Sequence, residues 1–229
     1  MDRWHDPEFA RAWDRRAEFG NPAREEHLSV ITAIVRRIYQ PGCAILDLGA
    51  GSGQVEQRII RTCPQARVVA VDASPAMLDL ARDRLRGANG RVELVHGDIS
   101  TPSRLVVPEH DYQIALAVQA LHHITDAAKR ELLAWLHARL MPNGIVIIAD
   151  RVQLEPALGT VYKAAWEWEE DRASAKSGWD GQAFLRRFEA KGDHTATLED
   201  HYAALRAAGF VATCLYLRLH RVLFVASKR

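Results

Sequence analysis

With 229 residues, of which 48% are hydrophobic and 26% charged, the chain has the composition of one modest globular domain, not of a disordered, collagenous or coiled-coil protein. Thirty basic against 29 acidic residues leave a formal net charge of +1, so no electrostatic drive toward nucleic acid or an anionic membrane is expected. The longest uncharged apolar run, Tyr112 to Thr125, is too short to cross a bilayer, and the cysteines at 43, 63 and 214 suit neither a zinc site nor a disulfide framework.

The opening MDRWHDPEFARAWDRR is charged throughout and lacks the apolar core of a secretory signal, which predicts a cytoplasmic protein. Residues 1–41 read as two helices broken at Gly20-Asn21-Pro22 and are assigned to a helical lid. From residue 42, branched-aliphatic runs at 44–48, 67–72, 91–96, 112–118 and 144–150 alternate with helical stretches at 53–62, 75–86 and 126–140. That alternation predicts strand-helix units on a mostly parallel sheet. Ser74 ahead of Pro75 supplies a side-chain cap and a proline at the first helical position. An Ala/Glu/Trp-rich insertion spans 151–196 and is assigned to the substrate lid, within a main domain of 42–229. A helix over 197–208 then opens on a capping box of Thr197 and Asp200 and stops at Gly209. The last strands, 210–217 and 220–226, are joined too tightly for a helical crossover, so they predict a closing antiparallel hairpin.

Chemistry concentrates where the strands end. In ILDLGAGSGQV, residues 45–55, a buried strand runs through Gly49, Gly51 and Gly53 into a helix. Glycines allow a sharp turn and close approach of a ligand, and the helix start offers unpaired N–H groups. A dinucleotide fingerprint needs a sixth-position glycine, and Gln54 stands there instead. Asp47 beside the turn would repel a diphosphate but suits a ligand with a cationic amino group. About 20 residues on, Asp72 is placed to accept from both ribose hydroxyls of an adenosine ligand. After the third strand, Gly97-Asp98-Ile99 offers an acceptor for an exocyclic adenine amine and an apolar face for the ring.

Taken in order, ILDLGAGSGQV, VVAVDASPAML, HGDIS, IALAVQALHHI and LMPNGIVIIAD resemble the class I S-adenosylmethionine-dependent methyltransferases over roughly residues 40–226. The resemblance implies an α/β, Rossmann-like three-layer sandwich with a seven-stranded, mostly parallel sheet, a C-terminal antiparallel hairpin and a helical lid. It implies S-adenosylmethionine as cofactor, with S-adenosylhomocysteine as product. Gly49, Ala50 and Gly51 would pack on its methionine part, together with Asp47 and Gly53. Asp72 and Ala73 would hold the ribose, while Asp98 and Ile99, with Gly97 and Met77 beside them, would hold the adenine. Ala117, Val118 and Gln119 would lie beside the sulfonium.

The turn after the fourth strand, Val118-Gln119-Ala120-Leu121-His122-His123, lacks the Asn/Asp-Pro-Pro-aromatic turn of nucleic-acid or protein amine methylators and the clustered carboxylates of a catechol-type metal site. The expected partner is therefore a small-molecule acceptor, without nucleic acid, membrane or metal, and a homodimer is the assembly to test. Because methyl transfer from a sulfonium depends mainly on alignment and water exclusion, a base is optional. Where the acceptor must lose a proton, His123 is the first candidate and His122 the second, followed by His27 and His194 from the lids. The aromatic pairs Phe9/Trp13, Tyr162/Trp166 and Phe184/Phe188 each share a helix face, as i, i+4 spacing requires. These faces either glue the lids to the sheet or enclose an apolar, aromatic acceptor lined by Trp13, Tyr162 and Trp166. Two rivals stay open: a protein using the same cofactor for a non-methylating reaction, and a nicotinamide-dependent oxidoreductase, which Gln54 and Asp47 disfavour.

Overall fold

The computed structural model describes residues 3–16, 24–173 and 193–228. The break expected at Gly20-Asn21-Pro22 and the aromatic residues Trp179, Phe184 and Phe188 lie outside the described residues.

Two helices, α1 (Pro7–Arg16) and α2 (Arg24–Ile38), precede the sheet. The alternation then runs β1 (Ala44–Leu48), α3 (Gln54–Thr62), β2 (Val68–Asp72), α4 (Pro75–Arg84), β3 (Val92–His96), β4 (Tyr112–Val118), α5 (Asp126–Arg139) and β5 (Leu140–Arg151). It closes with α6 (Gly159–Ala173), α7 (Leu198–Ala207), β6 (Phe210–Arg218) and β7 (Arg221–Lys228). The seven strands lie in the order β3-β2-β1-β4-β5-β7-β6. β1 to β5 pair in parallel, and β7 runs antiparallel to both β5 and β6, so the expected closing hairpin is present. β5 begins at Leu140, earlier than the pattern predicts, because the Pro142-Asn143-Gly144 stretch is absorbed as an irregularity against Tyr112 to Ile114 of β4.

Strand alternation sends successive side chains to opposite faces, and both faces are covered. On one, Leu46 and Leu48 of β1, Val71 of β2 and Ile148 of β5 meet Leu132, Leu133 and Leu136 of α5 and Leu205 of α7. On the other, Ile45, Leu116 and Ile147 meet Leu28, Ile31 and Val35 of α2 and Val55 and Ile59 of α3. Burying each such side chain contributes about 1.5–3 kcal/mol, so the three layers are held by the apolar runs that define the strands. α4 is capped by Ser74, whose Oγ accepts from Met77 N, and α7 by the reciprocal Thr197 and Asp200 box. Among the described residues no helix is long and apolar enough to cross a membrane.

Candidate functional site

The ends of β1, β2, β3 and β4 converge on one cavity of about 390 Å³ at the carboxyl edge of the sheet, where open α/β folds bind ligands. From β1 comes the glycine loop. Gly49 has φ +80°, and a Cβ there would overlap that of Ala120, so the loop packs directly on the exit of β4. Gly51, at φ +59°, has nothing within 4 Å of its would-be Cβ and leaves room above the loop. Gly49, Ala50 and Gly51 all line the cavity.

Asp72 ends β2. Its Oδ2 accepts from Gly51 N at 2.7 Å and its Oδ1 from Ser74 N at 2.8 Å, tying the glycine loop to the start of α4. Burial pushes its carboxyl up, and the N–H bonds from Ser74 and Gly51 pull against that rise. Ala73 and Met77 complete this part of the wall. Beyond β3, Asp98 is exposed to the cavity, its oxygens accepting from Ser100 N and Oγ at 2.8 Å each, while Ile99 is buried.

After β4 the wall continues through Val118 and Gln119. Gln119 holds φ +58°, a left-handed conformation rare for a residue with a side chain. Its N donates to Ala149 O at 2.7 Å, and its Oε1 accepts from Arg221 Nη1 at 2.5 Å. His123 lies further along the same turn, its side chain 32% exposed and facing the cavity. Its Nδ1 stands 3.3 Å from Oδ1 of Asp193, whose side chain is buried and whose Oδ2 accepts from Arg151 Nη1 at 2.8 Å. The neighbouring His122 is buried behind the wall. Its Nδ1 is 2.5 Å from Asp150 Oδ1, and its backbone N donates to Asp150 Oδ2. Burial brings His122 down to about 4, against the pull of Asp150, whose own carboxyl is held well below the usual range by His122 despite burial. At neutral pH the pair is therefore a neutral imidazole donating Nδ1–H to a carboxylate.

A roof is supplied by the opening segment. Arg3, Trp4, His5 and Trp13 line the cavity, and the Trp4 ring packs edge-on to His123 with 5.3 Å between centroids. Trp4 O accepts from Ser74 Oγ at 2.5 Å. Asp14 of α1 anchors the roof: its carboxylate accepts from Ser52 Oγ, from Gln54 Nε2 at 2.7 Å and from Arg84 Nη2 at 2.7 Å. Although burial raises its pKa, these bonds hold Asp14 below the ordinary carboxylate range. Arg24, which starts α2, also faces the cavity and donates to Gln54 Oε1 at 2.7 Å.

Ten of the residues expected to hold a cofactor thus meet in one wall: Gly49, Ala50, Gly51, Asp72, Ala73, Met77, Asp98, Ile99, Val118 and Gln119. Gly53, Gly97 and Ala117 are not among the residues that line it. At Gly53, φ +79° and a would-be Cβ only 2.9 Å from Leu85 show a glycine required by helix packing. Asp47 is fully buried beside Glu56 and is not among the residues that line the cavity; burial pushes it up to about 6, and Glu56 rises as well. Of the acceptor-side candidates, His123 and Trp13 reach the cavity. His27 is buried with its ring 4.8 Å from that of Tyr216, and His194 is exposed, its N donating to His122 O. Tyr162 is half-buried on α6, and the Trp166 side chain lies outside the described residues. Sequence reasoning did not single out Arg3, Arg24 or Asp193, because a spacing pattern carries no signal for side chains that meet only after the chain has folded. Among the described residues His122, His123 and Asp193 bring ligand-type atoms within 4.8 Å of one another. Asp150 fixes His122 at one end of that trio and Arg151 fixes Asp193 at the other.

Residues 45–144 match a family described as a methyltransferase domain. A demethylmenaquinone methyltransferase of Chlamydia pneumoniae is 37% identical over 108 residues, which are 47% of this chain and 44% of that protein. The chain therefore spans less than half the length of that relative. A carboxy-S-adenosyl-L-methionine synthase of Pseudomonas putida is 29% identical over 201 residues, 86% of this chain and 79% of that protein. Among solved structures, an O-methyltransferase family protein of Burkholderia thailandensis superposes with a TM-score of 0.72 at 16% identity, covering 99% of this chain and 61% of that one. PigF with SAH superposes with a TM-score of 0.66 at 20% identity and the same two coverages.

Proposed function

Because residues 45–144 match a methyltransferase domain, we propose that the chain is a class I S-adenosylmethionine-dependent methyltransferase and that it transfers the sulfonium methyl of that cofactor to an O, N or C atom of a small, apolar or aromatic acceptor. The observation that carries this reading is the convergence of four strand ends and His123 on one roofed cavity. The wall suits the cofactor on chemical grounds. Open space above Gly51 leaves room against the backbone, and the acids at the exits of β2 and β3 match the hydroxyls and amine of an adenosine. Asp72 would hold the ribose, Asp98 and Ile99 the adenine, and Gly49 to Gly51 the methionine part.

When bound, S-adenosylmethionine supplies an electrophilic methyl on a positively charged sulfur. The chain's own work is to orient the acceptor, exclude water and take a proton. Residues 3–16 act as a lid: Trp4 and Trp13 close the cavity against solvent, and Asp14 keeps them closed. His123 receives the acceptor's proton at the ring nitrogen opposite Asp193, and the buried Asp193 carboxylate, braced by Arg151, orients the ring and stabilises the imidazolium. His122 holds the turn from behind through Asp150.

A second reading, use of the cofactor without methyl transfer, is favoured by one observation. The relative matched over most of this chain carries the name of a synthase that makes a carboxylated form of the cofactor. Incubation with methyl-labelled cofactor and a panel of aromatic acceptors separates the two. Label in the acceptor together with S-adenosylhomocysteine supports methyl transfer; cofactor binding without either product under any acceptor supports the second reading.

A further inference from the structure

No carboxylate stands in the turn after β4, so its sequence suggests no metal site. Folding brings a carboxylate to it from residue 193, and His122, His123 and Asp193 then hold ligand-type atoms within 4.8 Å of one another. Two of these side chains carry buried atoms without partners. Among the described residues His122 Nε2 and Asp193 Oδ1 have no hydrogen bond, although the side chains are only 2% and 1% exposed. His123 Nδ1 stands 3.3 Å from Asp193 Oδ1 but is not aligned to satisfy it. Leaving buried polar atoms unpaired is costly, and a cluster that keeps two of them is suited to a group that would pair both.

The surroundings are those of a prepared ligand set. Asp150 Oδ1 lies 2.5 Å from His122 Nδ1, which fixes the ring so that Nε2 is the nitrogen left over. Arg151 Nη1 donates to Asp193 Oδ2 at 2.8 Å and leaves Oδ1 open. A carboxylate behind a ligating imidazole, and a donor behind a ligating carboxylate, are the outer partners that orient metal ligands. The two chain segments are also clamped together: His194 N donates to His122 O at 2.7 Å, and Gln153 N to Ala196 O at 2.8 Å. Donors from distant parts of the chain thus meet on a fixed frame. Two imidazoles and one carboxylate suit a divalent first-row transition cation, whereas magnesium and calcium prefer oxygen ligands alone. The spacing agrees. Ligands about 2.1 Å from a tetrahedral zinc stand roughly 3.4 Å apart, close to the 3.3 Å between His123 Nδ1 and Asp193 Oδ1.

We propose that His122 Nε2, His123 Nδ1 and Asp193 Oδ1 form a binding site for one divalent transition cation, zinc being the best match, with the fourth position left to water or another oxygen ligand. Because His123 lines the cavity, the cation sits at its wall. Occupation and base catalysis exclude each other at His123: with the metal on Nδ1, the neutral ring carries its proton on Nε2 and cannot take another. The cation therefore competes with the proton transfer assigned to His123. This site is independent of the cofactor reading, and its test needs neither cofactor nor acceptor.

Chelator-stripped protein is titrated with zinc chloride by calorimetry and with cobalt(II) chloride by visible absorption. One equivalent is expected to bind with about micromolar affinity or tighter, and cobalt is expected to show the intense bands of a four-coordinate site. His123→Ala and Asp193→Ala are each expected to weaken zinc by at least the ~10–100-fold that loss of an outer partner costs. His122→Ala should do the same, and should that buried variant fail to fold, the other two carry the test. In zinc-saturated protein, proton–nitrogen NMR of the His123 ring is expected to show a protonated Nε2 and no titration until zinc leaves. Absence of stoichiometric binding overturns the proposal. So does zinc binding that the His123 and Asp193 variants leave unchanged, which would place the metal on other histidines or cysteines. A His123 ring that titrates in zinc-saturated protein as it does without metal overturns it as well.

Discussion

Asp72 accepts two backbone N–H bonds and faces the cavity, so its carboxylate both braces the glycine loop and remains available to a ribose. Asp72→Ala is expected to weaken S-adenosylmethionine binding by about 1–3 kcal/mol, the cost of lost charge-assisted hydrogen bonds. Calorimetry checks this, and unchanged affinity would move the ribose site elsewhere. His123 and Asp193 form the second residue-scale argument. His123→Ala is expected to lower the maximal rate by about 100-fold or more, the usual contribution of a general base, with cofactor affinity nearly intact. Asp193→Asn keeps the shape but removes the charge that steadies the ring, and a loss of roughly tenfold in kcat with KM unchanged is expected. An equal loss of cofactor affinity in either variant would make the residue structural.

At the scale of elements, α1 is attached to the fold through few contacts, and Asp14 concentrates them. Ala10 packs on Ala76 and Met77 of α4, and the Asp14 carboxylate bonds to Ser52, Gln54 and Arg84. Asp14→Ala leaves Arg84 without that carboxylate and frees the roof, so amide exchange over residues 7–16 should quicken while the central strands keep their protection. Unaltered exchange in α1 would show that Trp4 and Trp13 hold the roof without it. The capping box of α7 is the opposite case, a local device whose energy is local. Thr197→Ala is expected to cost about 1 kcal/mol of stability in denaturant titration, with no effect on ligand binding.

For the molecule as a whole, buried titratable groups set the response to pH, and they pull in opposite directions. Burial lowers His27 and His122 to about 4 from 6.5, so unfolding takes up protons between those values and these groups cost stability as pH falls below about 6.5. Burial raises Asp47 and Glu56, and Asp47 pushes Glu56 up further while Glu56 holds Asp47 back, so unfolding releases protons there, and the pair costs stability as pH rises past the ordinary carboxylate range. Glu56→Gln removes that second cost. The variant should melt higher than the parent at pH 8 and show no such gain at pH 4. A gain of equal size at both pH values would mean that packing, not charge, is responsible.

Much of this was legible along the chain. Strand positions, the closing hairpin, the caps at Ser74 and Thr197 and the cavity-lining loops after β1, β2 and β3 follow from period, glycine placement and cap chemistry, which act over a few neighbouring residues. Asp47 and His122 show the limit: both sit in the motifs, yet one is buried beside Glu56 and the other on Asp150, because which way a side chain turns depends on the layer packed against it. Asp193 behind His123, Arg221 behind Gln119 and Trp4 over the site join segments some 70 to 120 residues apart. The amino-acid order determined the layered sheet and its glycine loop, since those depend on local periodicity and backbone freedom. Only the tertiary structure decided which charges face the cavity, because proximity across the chain is created by packing and has no counterpart in spacing.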